Sequence, residues 1–393
     1  MSCKSLILNL MSRVVSWSER YPGRVGTISG WFQQSASIFS ALLVLPVLMR
    51  VLSKDDVGRW FAFQSFLNMA NLVDFGVGFA VSRQVAHCIG GGKKQSGTDF
   101  LDFGSGWDGV ALIRVTAEKI KRCTVCLAAI VGTIIFELVL PHTRLIPPGE
   151  GDSFRLTWYM MMGSSLLITA TAIENTILNG LGKVYLTRTM TGAFFFLNGL
   201  LVMLAAMEWG KLWAMAIASL ISALIYRITA AFALRKAAPE IFLPERRKVW
   251  RPGFIYPLLR VAAPVGFVNV GSFLVSSIQT PLIGSLLGPV AVAPYYLAQK
   301  IGQFLNQAAR QFLMPQIPFF TRAFGADDKP AARRLMLKTI GLNLAATLAV
   351  NSVFLFFSPW FALFLTGKSI YVDQTTLAVM ALDYSILGIA VSW

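Results

Sequence analysis

Long apolar stretches alternate with short polar connections along the whole chain. Each stretch is close to the roughly 20 residues that an α-helix needs to cross a bilayer. Ten stretches are predicted as membrane-spanning helices: 25–48, 60–82, 120–141, 156–178, 189–208, 212–234, 260–287, 293–319, 339–358 and 374–393. The pattern therefore predicts an all-α, polytopic transmembrane helix bundle. Between the second and third stretches, residues 110–122 are predicted as a basic helix lying along the inner membrane surface.

Composition and charge distribution agree with this class. The chain is 55% hydrophobic and 14% charged, whereas soluble domains carry about 25% charged residues. A net charge of +16 is typical of nucleic-acid-binding proteins. Here, however, the basic residues lie between the apolar stretches, so we expect membrane lipids and no nucleic acid as partners.

The basic residues also predict the orientation of the spans. With a cytoplasmic N-terminus, 25 Lys and Arg residues fall in inner segments and seven in outer segments. Cytoplasmic connections of membrane proteins carry the excess of Lys and Arg. We therefore expect a multi-pass protein whose N-terminus is cytoplasmic.

A shift of 235 residues aligns the first two spans with spans seven and eight. Polar residues and a proline match at this shift: Ser37 with Ser272, Pro46 with Pro281, Gln64 with Gln299 and Asn71 with Asn306. The matches predict a parallel repeat and two pseudo-symmetric lobes, 1–240 with six spans and 241–393 with four. Because a complete repeat would hold twelve spans, we expect the second lobe to be incomplete.

Polar side chains recur at helical spacing within four of the spans. Span eight carries Gln299, Gln303, Asn306 and Arg310 on one face, with Lys300 beside it. The other predicted polar positions are Gln64, Asn68 and Asn71 in span two, Gln33 in span one, and Ser272 and Gln279 in span seven. We expect these residues to line a shared substrate cavity. The alternative is that they form hydrogen bonds that hold the helices together.

The charged residues inside spans are the strongest candidates for chemistry. Lys300 and Arg310 have no acidic partner on span eight, so an anionic substrate group would compensate their charge. Four further residues are either ion-coupling or structural groups: Asp74, Arg83, Glu174 and Glu137.

Signatures of catalysis and of cofactor binding are lacking in the sequence. We find no phosphate-binding glycine loop, no nucleophile elbow and no metal-ligand cluster. Cys123 and Cys126 form a CxxC pair without a second Cys or His pair. We therefore expect no enzyme activity, no metal and no cofactor.

Residues 52–86 carry a family resemblance. A Leu-Ser, acidic pair, Gly, aromatic turn is followed by an Asp-Phe-Gly motif and then by Arg and Ala: Leu52, Ser53, Asp55, Asp56, Gly58, Trp60, Asp74, Phe75, Gly76, Arg83 and Ala86. This stretch resembles the polysaccharide flippases (O-antigen translocases) of the multidrug, oligosaccharidyl-lipid and polysaccharide exporter superfamily. The motifs match closely only in about the first 90 residues; over the rest of the chain the similarity is limited to the pattern of membrane spans.

The resemblance implies two six-helix lobes around a cationic cavity. It further implies alternating-access transport of an undecaprenyl-diphosphate-linked oligosaccharide across a bacterial inner membrane, alongside other surface-polysaccharide assembly proteins. Two alternatives remain open. One is an ion-coupled exporter of small molecules from the same superfamily, and the less favoured one is a membrane polysaccharide polymerase, which would need a long outer loop.

Overall fold

The computed structural model describes residues 22–70, 72, 75–90, 106–146, 151–243, 252–310, 329–366 and 372–390. All regular secondary structure within these ranges is helical. The α-helices are α1 Pro22–Val51, α2 Lys54–Ala70, α3 Val77–Ile89, α4 Gly106–Ile134, α5 Gly151–Gly180, α6 Val184–Trp209, α7 Leu212–Ala237, α8 Ile255–Ser276, α9 Gln279–Leu287, α10 Pro289–Arg310, α11 Lys329–Thr366 and α12 Gln374–Ala390. A π-helical segment, Ile135–Val139, and a 3-10 turn, Leu140–His142, continue α4.

The predicted all-α membrane fold is confirmed. Six helical segments of the described chain are long and apolar enough to cross a membrane: Gly106–His142, Phe154–Gly180, Val184–Trp209, Leu212–Ala237, Leu258–Leu287 and Ile340–Phe364. They overlap predicted spans three to seven and span nine. The other four predicted spans overlap helices α1, α2 with α3, α10 and α12.

Two details of the sequence prediction were wrong. Predicted span two is not one helix, because α2 ends at Ala70 and α3 begins at Val77. Phe75 and Gly76 adopt positive φ angles of 41° and 76° just before α3, and such angles cannot continue a right-handed helix. The basic residues 110–122 are not a separate surface helix either, since they form the first half of the continuous helix α4.

The chain forms two compact units, which are described here separately. Unit 1 comprises residues 1–44 and 62–286, and unit 2 comprises residues 45–61 and 287–393. The lobes 1–240 and 241–393 rest on the sequence repeat and stay a prediction. Helix α1 ends at Val51 and α2 begins at Lys54, and about 235 residues later α9 ends at Leu287 and α10 begins at Pro289.

Unit 1 is built around apolar contacts among α3, α4, α5 and α8. Its core includes Val85, Ile113, Ile177 and Leu258, each almost fully buried. Polar contacts add to this packing where α5 lies against α7, since the Ser164 hydroxyl donates to the Ser219 carbonyl at 3.0 Å. The helices of unit 1 also expose large apolar side chains, among them Phe79, Leu138 and Phe232, as expected of surfaces that face lipid.

Helix α11 of unit 2 has an exposed apolar side and a buried polar side. Its exposed side includes Phe356, Phe357 and Trp360. Its buried side carries polar residues at helical spacing: Asn343, Thr347, Asn351 and Ser358. A helix with apolar residues outside and polar residues inside is suited to lipid rather than to water.

Candidate functional site

The candidate site in unit 2 is a polar interior formed by α10, α11 and α12. Helix α10 contributes Gln299 and Asn306, whose exposed fractions are 4% and 8%. Lys300 and Gln303 lie beside them and are half-buried. The i, i+4, i+7 spacing of Gln299, Gln303 and Asn306 brings polar groups repeatedly toward the inner side of one helix.

A chain of hydrogen bonds joins the three helices. The Asn306 amide Nδ2 donates to the Gly302 carbonyl at 3.0 Å and lies 3.3 Å from the Asn351 Oδ1 atom on α11. The Asn351 Nδ2 in turn donates to the Ser385 hydroxyl on α12 at 2.6 Å. These bonds fix the amide groups, because a buried polar group without a partner is costly in a membrane.

A second connection joins α10 and α12 about two turns of α10 away from Asn306. The Tyr384 hydroxyl of α12 donates to the Gln299 main-chain carbonyl at 3.0 Å. The Tyr384 ring meets Phe354 of α11 edge-on, with centroids 5.8 Å apart. The close approach requires glycine at position 302, since a Cβ atom there would overlap the Tyr384 ring.

Lys300 is held by neutral groups. Its Nζ donates to the Gln303 Oε1 at 3.3 Å and lies 4.9 Å from the Tyr296 ring centroid. Tyr296 is itself stacked on Phe61 at 3.8 Å. Because an amide and an aromatic ring orient the ammonium group without neutralising it, its positive charge stays available to an anionic group.

The polar stripe of α11 is part of the site that the sequence pattern did not single out. Asn343, Thr347 and Asn351 recur every four residues within predicted span nine. The same spacing rule that indicated the stripe of span eight could have found them. Ser385 and Tyr384 carried no such signal, since their role depends on contacts with other helices.

The other predicted cavity residues lie in unit 1. Gln33 on α1, Gln64 on α2 and Gln279 on α9 are half-buried, while Asn68 on α2 and Ser272 on α8 are exposed. Asn71 and Asp74 lie outside the described residues, as does the side chain of Arg310, the last residue of α10. A single cavity lined by the polar residues of predicted spans one, two, seven and eight stays a prediction.

Two of the three predicted carboxylates have structural partners in unit 1. Glu174 on α5 forms an ion pair with Arg227 on α7. Glu137, in the π-helical segment, accepts hydrogen bonds from Arg155 and from the Tyr159 hydroxyl, each at 3.0 Å. Arg83 is exposed on α3. Over the described ranges, no group of three or more His, Cys, Asp or Glu side chains is placed to hold a metal ion.

Solved transporter structures share this fold. An inward-facing multidrug resistance MATE family transporter of the MOP superfamily matches with a TM-score of 0.60 and 17% identity, covering 92% of this chain and 81% of that chain. The MATE multidrug transporter DinF-BH matches with a TM-score of 0.60 and 11% identity, covering 94% and 81%. A variant of the Vibrio cholerae MATE transporter VcmN matches with a TM-score of 0.56 and 17% identity, covering 94% and 86%. At these identities the likeness shows the fold.

The family model of the polysaccharide biosynthesis proteins matches residues 27–324. No curated protein matches the sequence. The matched range runs from α1 through α10 and so includes the α10 stripe. The chain is therefore a multi-pass membrane protein with the MATE transporter fold, and it belongs to the polysaccharide biosynthesis protein family.

Proposed function

We propose that this protein moves a lipid-linked oligosaccharide across the bacterial inner membrane for the synthesis of a surface polysaccharide. Membership of the polysaccharide biosynthesis family supports a glycan substrate. The observation that carries the proposal is Lys300, a half-buried cation whose described partners are neutral. A diphosphate-linked glycan would supply the missing negative charge.

The polar interior of unit 2 suits both parts of such a substrate. Amide side chains such as Gln303 and Asn306 can donate to and accept from sugar hydroxyls. Lys300, with Arg310 on the same helix, would meet the diphosphate, because an ammonium or guanidinium group binds phosphate oxygens more strongly in a low dielectric than in water. Transport then needs alternating access to this interior from the two membrane faces, without a catalytic step.

Lys300 also favours a glycan flippase over a multidrug exporter of the same fold. A cationic drug would be repelled by an uncompensated ammonium group, whereas a diphosphate would be attracted. The polar interior therefore favours an anionic cargo.

Replacement of Lys300 tests the proposal in cells. We expect Lys300→Ala to lower surface-glycan export at least roughly tenfold, since a charge-assisted hydrogen bond contributes about 1.5–3 kcal/mol. Arg310→Ala should act in the same direction. The measurement is surface glycan in a deletion strain that carries each variant, normalised to the amount of protein in the membrane.

Two further variants serve as controls. Lys300→Arg keeps the charge and should retain much of the export. Lys338→Ala removes an exposed cation of α11 and should leave export unchanged. If Lys300→Ala and Arg310→Ala both export normally, the cationic interior does not serve transport.

A further inference from the structure

Unit 1 contains a separate cavity of about 360 Å³ between α4, α5 and α7. We call it the basic pocket. It is lined by Arg114, Glu118, Lys121, Arg122, Val125, Cys126, Ala170, Ile173, Glu174, Arg227, Ala231, Leu234, Arg235 and Phe242. None of its cations belongs to the polar stripes described above.

Charge is the first distinguishing feature of the basic pocket. Five of its side chains are cationic and two are acidic. The carboxylates are already used, because Glu118 pairs with Arg114 at 2.7 Å and Glu174 pairs with Arg227. Arg122 and Arg235 are paired with neither carboxylate, so the lining carries an excess of positive charge and favours an anion.

Several of the cations are held by neighbouring groups, although Arg122 and Arg235 are exposed. The Arg114 guanidinium lies 3.9 Å from the Phe242 ring centroid, and Arg235 lies 5.8 Å from the same ring. Arg227 also donates to the Ala170 carbonyl at 3.3 Å. Lys121 is only 4% exposed although it is charged. Fixed, partly desolvated cations bind an anion at lower entropic cost than mobile surface cations do.

The remaining lining residues are apolar. Val125, Ile173 and Leu234 adjoin the charged groups, together with Ala170 and Ala231. A cavity with charged and apolar walls fits a compact anion that carries an apolar substituent. In the orientation predicted from the Lys and Arg distribution, it opens near the cytoplasmic ends of three helices, where lipid headgroups lie.

We propose that the basic pocket binds a phosphate-bearing anion. Arginine favours this class because its planar guanidinium donates two parallel hydrogen bonds to phosphate oxygens. The phosphate comes either from the headgroup of an acidic phospholipid or from a soluble diphosphate. This site is independent of the transport proposal, and its test requires no transport measurement.

Binding by the purified full-length protein tests the proposal. One arm measures inorganic diphosphate by calorimetry in a neutral detergent. The other arm compares the melting temperature in nanodiscs of phosphatidylglycerol with that in nanodiscs of phosphatidylcholine. A diphosphate signal identifies the soluble anion, and stabilisation by phosphatidylglycerol alone identifies the lipid headgroup. Absence of both signals overturns the proposal.

Two matched double variants show whether the pocket is responsible. Arg122→Gln with Arg235→Gln removes two lining cations. Lys119→Gln with Lys236→Gln removes two cations of the same helices that are equally exposed but lie outside the lining. We expect the first variant to bind at least roughly tenfold more weakly and the second to bind normally. Equal weakening in both would mean non-specific attraction to a basic surface and would reject the pocket.

The natural cysteines supply a second readout. Cys126 and Cys123, three residues apart on α4, are both exposed, but only Cys126 lines the basic pocket. In a Cys3→Ser, Cys123→Ser background, inorganic diphosphate or phosphatidylglycerol, whichever binds, should slow maleimide labelling of Cys126. In the matched Cys3→Ser, Cys126→Ser background, labelling of Cys123 should not change. Equal protection of both thiols, or protection of neither, contradicts occupation of the pocket.

Discussion

Polar residues within this fold differ according to the partners that surround them. Asn306 donates a hydrogen bond to Asn351 on the neighbouring helix, and Asn351 donates in turn to Ser385. Glu174 and Arg227 neutralise each other. Lys300 is different, since the amide and the ring that hold it leave its charge uncompensated. A single residue's functional role therefore depends on its neighbours as much as on its own chemistry.

Asp373 is a residue whose partners predict a dependence of stability on pH. It precedes α12 and accepts hydrogen bonds from the Thr376 hydroxyl at 2.5 Å and the Thr376 main-chain N–H at 3.2 Å, the geometry of a helix N-cap. These bonds, the hydroxyl bond first, lower the pKa of the Asp373 carboxyl. The ionised Asp373 carboxylate therefore stabilises the folded protein fully at pH values above the ordinary carboxyl pKa of about 4. This stabilisation is lost as the pH falls through the lower pKa that the carboxyl has in the folded state.

We expect Asp373→Ala to lower the melting temperature by about 1–3 °C near neutral pH, because α12 loses its cap. The difference between the two proteins should shrink as the pH falls below about 4. Thermal unfolding in detergent over a pH series measures this change. Asp373→Asn is the matched control, since asparagine caps a helix without titrating. A difference that stays constant down to the lowest pH would contradict a role for the ionised carboxylate.

At the scale of the helix, close packing restricts several positions to glycine. A Cβ atom at Gly58 on α2 would overlap the main-chain carbonyl of Pro289, the first residue of α10. Main-chain atoms cannot move aside as a flexible side chain can. Gly341 on α11 is the opposite case, because a Cβ atom there has no neighbouring atom within 4 Å.

These two glycines give a matched prediction. Gly58→Ala should destabilise the protein by about 1–3 kcal/mol through overpacking. Gly341→Ala should stabilise it by about 0.5–1 kcal/mol, because alanine restricts the unfolded chain and favours the helix. Chemical or thermal unfolding of the two variants in the same detergent provides the comparison. Equal effects would show that α2 and α10 do not approach closely at Gly58.

For the whole molecule, the orientation in the membrane decides which face of the bilayer each proposed site opens to. The excess of Lys and Arg predicts that the connection between α6 and α7 faces outward and that the segment after α7 faces the cytoplasm. The latter contains Phe242, which lines the basic pocket. That pocket therefore faces the cytoplasmic side if the prediction holds.

Reporter fusions test this orientation. Alkaline phosphatase fused after Gly210 should be active, since it folds only outside the cytoplasm, and a fluorescent protein fused at the same point should stay dark. Fusions after Ala238 should give the opposite pair of results. Both positions lie at helix ends, so the fusions leave the preceding helices intact. Reversed activities would invert the orientation and place the basic pocket on the outer face.

Much of the architecture followed from local patterns. Runs of apolar residues predicted the helices, and polar positions at a spacing of 3.6 residues predicted the inner side of α10. The motif in residues 52–86 indicated the family that the match over residues 27–324 confirms. The break between α2 and α3 was not foreseen, because the apolar residues before and after Asp74 were read as one span, and the positive φ angle of Phe75 is unusual for a residue other than glycine.

The sequence by itself determined the helical membrane class, the family and the residues with unusual charge, because these depend on each residue and its near neighbours along the chain. Only the tertiary structure decided which polar groups meet. Asn306 bonds to Asn351, 45 residues away, and the basic pocket draws on residues from Arg114 to Phe242. Such contacts depend on how helices pack against one another, and the periodicity of a single helix carries no information about its neighbour.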